Sequence, residues 1–191
     1  MLFSLNDLSK LKTFKARKFY VDQFLVPTNS GSSRAIYQLD SNRILKLAKN
    51  KKGLAQNITE KEIFLLTRDT EFKEDFTVVF DSHVDGFWLV VEQTEIIQDK
   101  DKFFYLTGVS IDDLENYLDR WWFDGILVAK VAFPHIFELP FAQKIIRLAI
   151  KTNLATGDLS RLDSWGIRED GNKLVLLDYG LTNKIYEKFY V

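Results

Sequence analysis

Two aspartates near the end of this 191-residue chain carry its clearest chemistry. Asp158 stands in Gly157-Asp158-Leu159, and Asp178 follows the apolar run Leu174 to Leu177 and precedes Tyr179-Gly180. Between them, Trp165-Gly166-Ile167-Arg168 and Lys173 to Leu177 flank Asp170-Gly171, a strong hairpin signal. Carboxylates on either side of a short hairpin suit phosphate-and-magnesium chemistry, in which one orients an attacking hydroxyl and the other holds the metal. The alternative for Asp178 is a turn cap within Asp-Tyr-Gly. Lys46 is the third reactive group. In an extended strand Ile44, Lys46 and Ala48 share one face and Leu45 and Leu47 the other, so this lysine has apolar neighbours on both. An ordinary snorkelling lysine is the alternative.

The elements that must position these groups follow from pattern. Ala35 to Leu39 and Arg43 to Leu47 flank Asp40-Ser41-Asn42 and predict a β-hairpin. Gly53 to Arg68 reads as a helix whose Glu60 and Glu62, taken alone, are solvated. Thr77 to Phe80 and Phe87 to Val91 predict two more strands around a turn at Asp85-Gly86. Ile111 to Trp122 and Phe141 to Thr152 have helical spacing, with Pro140 in a first turn and Asn153 as terminator. Asp112, Asp113 and Glu115 start the former helix, where the dipole favours acids. The basic residues between Asp7 and Phe24 are expected on a solvated helix face rather than against an acidic partner, and Trp121-Trp122-Phe123 in the core rather than as an exposed docking patch. The division expected is a strand-rich lobe at 1–92, a connector near Glu92, and a mainly helical lobe at 93–191. The fold class is α+β.

Composition narrows the function classes. At 46% hydrophobic and 28% charged residues the chain is globular rather than disordered. A net charge of -1 argues against nucleic acid as the main partner. Zero Cys excludes disulfides, thiolate metal sites and cysteine nucleophiles, and suits a reducing cytoplasm. The N-terminus lacks a basic leader followed by an apolar run, and Trp121 to Phe137 is too interrupted by polar residues to span a membrane. The two histidines, His83 and His135, lack metal-ligand or triad spacing.

In chain order these motifs resemble the protein-kinase-like fold, with Asp158 in the catalytic loop and Asp178-Tyr179-Gly180 in place of Asp-Phe-Gly. The resemblance covers about Gly31 to Gly180. It is nearest to short kinase-like proteins encoded by tailed bacteriophages, through the Gly-Ser-Ser-Arg loop, Lys49-Asn50-Lys51-Lys52-Gly53-Leu54-Ala55-Gln56-Asn57, and Trp165-Gly166 followed by Asp178-Tyr179-Gly180-Leu181-Thr182. It implies an antiparallel-sheet N-lobe, a reduced helical C-lobe, and ATP and Mg2+ as cofactors.

The same resemblance assigns residues. Laying Ile36-Tyr37 on the closing Val-Tyr of a glycine-rich loop puts Gly31 on the middle glycine, with Ser32, Ser33 and Arg34 as phosphate donors; an ordinary turn is the other reading. Lys46 would contact the α- and β-phosphates and pair with Glu60, or secondarily Glu62. Glu92, at the connector, joins the nucleotide-binding set. Asp158 would accept the hydroxyl proton, Asp178 would bind magnesium, and the second metal position falls on Asp163 or Ser164. Two departures stand out: Ile44 replaces the small residue that roofs the adenine, and Thr156-Gly157 replaces His-Arg. Residues 181–191 leave no room for an activation loop and peptide-binding helices, so the peptide-binding half is expected to be missing.

Two readings remain open. One is a minimal ATP- and magnesium-dependent phosphotransferase acting through Lys46, Asp158 and Asp178. The other is a non-catalytic kinase-fold module, a pseudokinase, that binds a protein partner, self-associates or belongs to a phage particle. The location expected is cytoplasmic, in the host if phage-encoded, or in the virion.

Overall fold

A computed structural model describes residues 2–168 and 173–191; the Asp170-Gly171 turn lies outside them. The chain forms two compact units: Met1–Asp69 with Thr77–Gln93, and Thr70–Phe76 with Thr94–Val191. The seven residues Thr70–Phe76, expected in the first lobe, thus pack with the second.

The first unit begins with helices α1 (Leu5–Lys10) and α2 (Phe14–Asp22), N-capped by the Ser4 and Thr13 hydroxyls. Five strands follow: β1 (Pro27–Ser30), β2 (Arg34–Gln38), β3 (Arg43–Ala48), β4 (Val79–Ser82) and β5 (Trp88–Glu92). They form one antiparallel sheet in the order β1-β2-β3-β5-β4, with helix α3 (Lys51–Thr67) between β3 and β4 in sequence. The predicted hairpin is present, its turn held by Asp40, whose carboxylate accepts from the Asn42 N–H and the Arg43 guanidinium.

Side-chain alternation divides the sheet. Ala35, Tyr37, Leu45, Leu47, Trp88 and Val90 face one way and bury against Leu8 and Val21 of the first two helices. The other face carries Lys46 between its cross-strand neighbours Ile36 and Leu89, and α3 packs against β3 and β5. Arg17 departs from the solvated face expected of it. It is 2% exposed, and its guanidinium lies 3.2 Å from the centroid of the Phe87 ring. Its position, one turn before buried Val21, directs it at the sheet.

The second unit pairs β6 (Glu95–Ile96), β7 (Trp165–Ile167) and β8 (Leu174–Leu176) in that order, all antiparallel. Its helices are α4 (Lys100–Thr107), α5 (Ile111–Asp124), α6 (Ile126–Ala132), α7 (Pro134–Phe137), α8 (Pro140–Thr152), α9 (Thr156–Leu159) and α10 (Asn183–Tyr190). Ser110 caps the acidic start of α5; as expected, Pro140 opens α8 and Asn153 ends it in the left-handed region at φ 56°. Phe103, Phe141 and Trp165 form an aromatic cluster with centroids 5.6–5.9 Å apart.

Trp121-Trp122-Phe123 corrects the core expectation. The buried stripe of α5 runs Ile111, Leu114, Tyr117, Leu118, so only Trp121 continues it, half-buried. Trp122 and Phe123 turn outward at 46% and 78% exposure, and the apolar surface continues through Leu127 and Val131 of α6. No helix among the described residues is long and apolar enough to cross a membrane.

Gly53 is where the sheet and α3 come closest: a Cβ there would lie 2.2 Å from the Ser33 carbonyl oxygen and 3.1 Å from the Ala48 Cα, both main chain. Gly31 has room, with the Arg34 oxygen 4.0 Å from its Cβ position. Gly53→Ala is therefore predicted to destabilise the protein by roughly 1–3 kcal/mol, the range of forced overpacking. Gly31→Ala is predicted to stay within about 0.5 kcal/mol of the parent. Urea midpoints of the two variants check this.

Candidate functional site

In the first unit, the Lys46 strand and α3 position one group of candidate residues. Asn50 caps α3 by accepting from the Gly53 N–H at 3.1 Å, which fixes the helix register. Gly53, Gln56, Asn57 and Glu60 then recur at helical spacing on the buried side. Glu60 has no exposed surface. Its Oε2 accepts from Lys46 Nζ at 2.6 Å and its Oε1 from Arg34 Nη1 at 2.5 Å. Lys46 and Arg34 are themselves only 4% and 5% exposed. Asn57 adds main-chain anchors, donating to the Lys46 carbonyl at 3.2 Å and the Gly86 carbonyl at 2.9 Å. Glu62, the second choice for the lysine's partner, is exposed.

The loop before β2 is tied to the same helix. Ser33 Oγ donates to Gln56 Oε1 at 2.5 Å, and the Ser33 carbonyl accepts from the Lys49 N–H at 2.8 Å. Lys49 Nζ reaches the Gly31 carbonyl at 2.7 Å, Asn50 Nδ2 the Ser32 carbonyl at 3.0 Å, and Lys52 Nζ the Ser32 hydroxyl at 2.9 Å. Gly31 and Ser32 stay exposed while Ser33 is buried. Arg34, expected to reach a phosphate oxygen, here donates to Glu60. Ile36 is half-buried beside Lys46, and Ile44 is half-buried two residues along the strand on the same face. Glu92 ends β5, where its carboxylate accepts from the Val78 N–H at 3.0 Å.

The second unit gathers the three aspartates. Asp158 lies in α9, half-buried, and Trp165 Nε1 donates to the carbonyl of the adjacent Leu159 at 3.0 Å. The Ser164 carbonyl accepts from the Leu177 N–H at 2.8 Å, and the Leu181 carbonyl from the Ala155 N–H at 3.0 Å. These bonds, with the β7–β8 ladder, tie the Asp158 segment to both sides of Asp178-Tyr179-Gly180. Tyr179 is fully buried, its ring 4.6 Å from that of Phe76, and Asp178 is half-buried.

Arg161 is the member that sequence reasoning missed. Its Nε and Nη2 hold the two Asp163 oxygens at 3.0 and 2.7 Å. That pair raises the Arg161 pKa, and the charges of Asp158 and Asp178 raise it further. One guanidinium therefore senses all three candidate carboxylates. A cation three residues after Asp158 and two before Asp163 was the available signal. Ser164, the other candidate for the second metal position, is 3% exposed. Among the described residues no cluster of three or more His, Cys, Asp or Glu stands ready as a metal cage.

No protein-family model matches the chain, and no curated protein matches it. Similar solved structures include the SAICAR synthase of Saccharomyces cerevisiae complexed with SAICAR, at 13% identity, covering 81% of this chain and 73% of that one, with a TM-score of 0.42. Another SAICAR synthase is 14% identical over 83% and 74% of the two chains, TM-score 0.43. A streptomycin–ATP–APH(2″)-IIa ternary complex is 11% identical over 87% and 70%, TM-score 0.43.

Removing Glu60 takes the shared carboxylate away from two buried cations, whereas removing Lys46 leaves Arg34 still on the carboxylate. Glu60→Ala is thus predicted to lose about 3–5 kcal/mol of stability, the range for a broken buried pair. Lys46→Met should lose clearly less. Chemical denaturation of both variants reads the order directly.

Proposed function

We propose that this chain is a kinase-like protein that binds ATP and magnesium and transfers phosphate, with Lys46, Asp158 and Asp178 as its principal residues. The buried Lys46–Glu60 ion pair carries the reading. It fixes an ammonium on the sheet, and a fixed ammonium is what a nucleotide phosphate requires. The donor set fits the cofactors. Lys46 suits the α- and β-phosphates, the exposed Gly31-Ser32 backbone suits further phosphate oxygens, and Asp178 supplies the hard oxygen that magnesium prefers. Asp163 would bind a metal while sharing its carboxylate with Arg161, which hydrogen-bonds each of its oxygens once.

The roles follow from the chemistry. Asp158 orients the acceptor hydroxyl and takes its proton. Arg161 holds positive charge beside that carboxylate and steadies the segment through Asp163. Magnesium, when bound, supplies charge neutralisation on the phosphate oxygens. The setting inferred from the resemblance is the cytoplasm of a phage-infected host.

A second reading is a non-catalytic module that docks a protein partner or a second copy of itself, in the cytoplasm or the virion. The outward-facing Trp122, Phe123, Leu127 and Val131 favour it, because an exposed apolar stretch of this kind marks interaction surfaces. So does Arg34, whose guanidinium is committed to Glu60.

A thermal-shift titration with ATP and magnesium separates the two. Ligand at about a hundred times Kd adds about 2.7 kcal/mol. For a chain of this length that raises Tm by roughly 5–11 °C. The enzyme reading predicts that shift in the parent, its loss in Lys46→Ala, and labelled-phosphate transfer that Asp178→Asn abolishes. Absence of any shift at millimolar ATP would sink the nucleotide site, and a shift without transfer would leave the module reading.

A further inference from the structure

The second unit leaves one apolar helix uncovered. Helix α6 runs Ile126-Leu127-Val128-Ala129-Lys130-Val131-Ala132, apolar at six of its seven positions, yet only Ala129 is buried. A helix apolar on every side belongs inside a structure. This one is also weak by itself, because seven residues are too few for an isolated helix and Ile126, Val128 and Val131 are β-branched. Leu127 and Val131, one turn apart on the same side, are 76% and 81% exposed. Helix α6 packs on α5, whose last turn adds the outward Trp122 and Phe123.

The size of this surface suits one occupant. Trp122, Phe123, Ile126, Leu127, Val128 and Val131 together leave on the order of 500 Å² of apolar side chain in water, taking ~150 Å² for each whole side chain. The largest patch on a typical monomer covers ~300–600 Å², so this one lies near the top of that range. A homodimer interface is ~65% apolar over the ~800 Å² that each partner contributes, which is the same area.

Charge points the same way. Between Trp122 and Ala132 stand one acid and one base, Asp124 and Lys130. Asp124 Oδ2 accepts from Arg120 Nη1 at 2.5 Å, and Lys130 Nζ lies 4.6 Å from the centroid of the Phe137 ring. Both charges are thus answered within the chain, and the surface offers little to a strongly acidic or basic protein. An anionic membrane would ask for a rim rich in Lys and Arg. A second copy meets no net like-charge repulsion, because a two-fold contact sets this neutral patch against itself.

We propose that the chain forms a homodimer by packing the α5–α6 surface of one copy on that of another, with Leu127 and Val131 of each inside the contact. The inference rests on the docking role given to this surface above and names its occupant. It uses none of Lys46, Asp158 and Asp178, so the ATP titration judges the catalytic question independently.

Sedimentation equilibrium of the full chain at ~100 µM tests it, a hundred times a micromolar Kd. The parent is predicted to be a dimer with Kd of about 1 µM or tighter, the weak end for an interface of this size. Leu127→Asp puts a carboxylate from each copy into the contact and should raise Kd about a hundredfold or more. The residue is exposed, so the variant should keep a cooperative melt. Ile150→Asp makes the same change at an exposed position on α8 and should leave Kd at the parent value. A dimer that Leu127→Asp leaves intact, or that Ile150→Asp breaks as fully, would overturn the proposal. So would a parent that is monomeric at ~100 µM, which gives the surface to a different protein or, if the monomer floats with phosphatidylcholine vesicles, to lipid.

Discussion

A carboxylate with no exposed surface must be matched by cations brought to it, and Glu60 has two. Much of the first unit is arranged around that requirement. Lys46 reaches Glu60 only because the β3 register turns it to the α3 side of the sheet; a slip of one residue would send it to the face that packs on α1 and α2. Arg34 reaches the same carboxylate from β2, through cross-strand pairing that places Arg34 opposite Ala48. Helix α3 must then lie close enough for its glutamate to meet both, which is why Gly53 stands against the Ser33 carbonyl. A buried ion pair is seldom the most stable filling for such a space, since apolar residues of similar volume often do as well or better.

The second unit solves a different problem, that of holding like charges near one another. Asp158, Asp163 and Asp178 come from a short helix, a single 3-10 turn and the loop two residues beyond β8, none of which would be rigid alone. Main-chain bonds from Ser164 to Leu177 and from Leu181 to Ala155 close them into one structure. Arg161 sets a positive charge against the negative charge of all three. The buried side chains of Tyr179 and Trp165 anchor it: one packs at a tilt against Phe76, the other donates to the Leu159 carbonyl.

The α+β class, the antiparallel sheet, the β2–β3 hairpin, β5, α3, α5 and α8 were legible from alternation, helical spacing and turn residues, because those signals are local, whereas β6, α4, α6, α7 and α10 were not read. Helix α3 was legible as a helix but not as a buried one: its apolar pattern is weak, and its inner side is Gly53, Gln56, Asn57 and Glu60, residues that read as solvent-facing. Only the resemblance singled out Glu60. The Arg34–Glu60 bond spans 26 positions and leaves no mark in the pattern. Arg17 looked like one more basic surface residue, and the aromatic face that takes it, Phe87, lies 70 residues away in sequence. Trp122 and Phe123 were misread because aromatic content suggests a core, while the phase of the α5 stripe, Ile111 to Leu118, excludes them.

The most direct test of Glu60 as organiser is a double-mutant cycle of Arg34→Met and Glu60→Gln, followed by urea denaturation. A shared, desolvated carboxylate predicts a coupling energy of about 1–3 kcal/mol between the two positions. Additivity within about 0.3–0.5 kcal/mol, the behaviour of independent sites, would contradict it and dissolve the link between the β2 loop and the Lys46 pair.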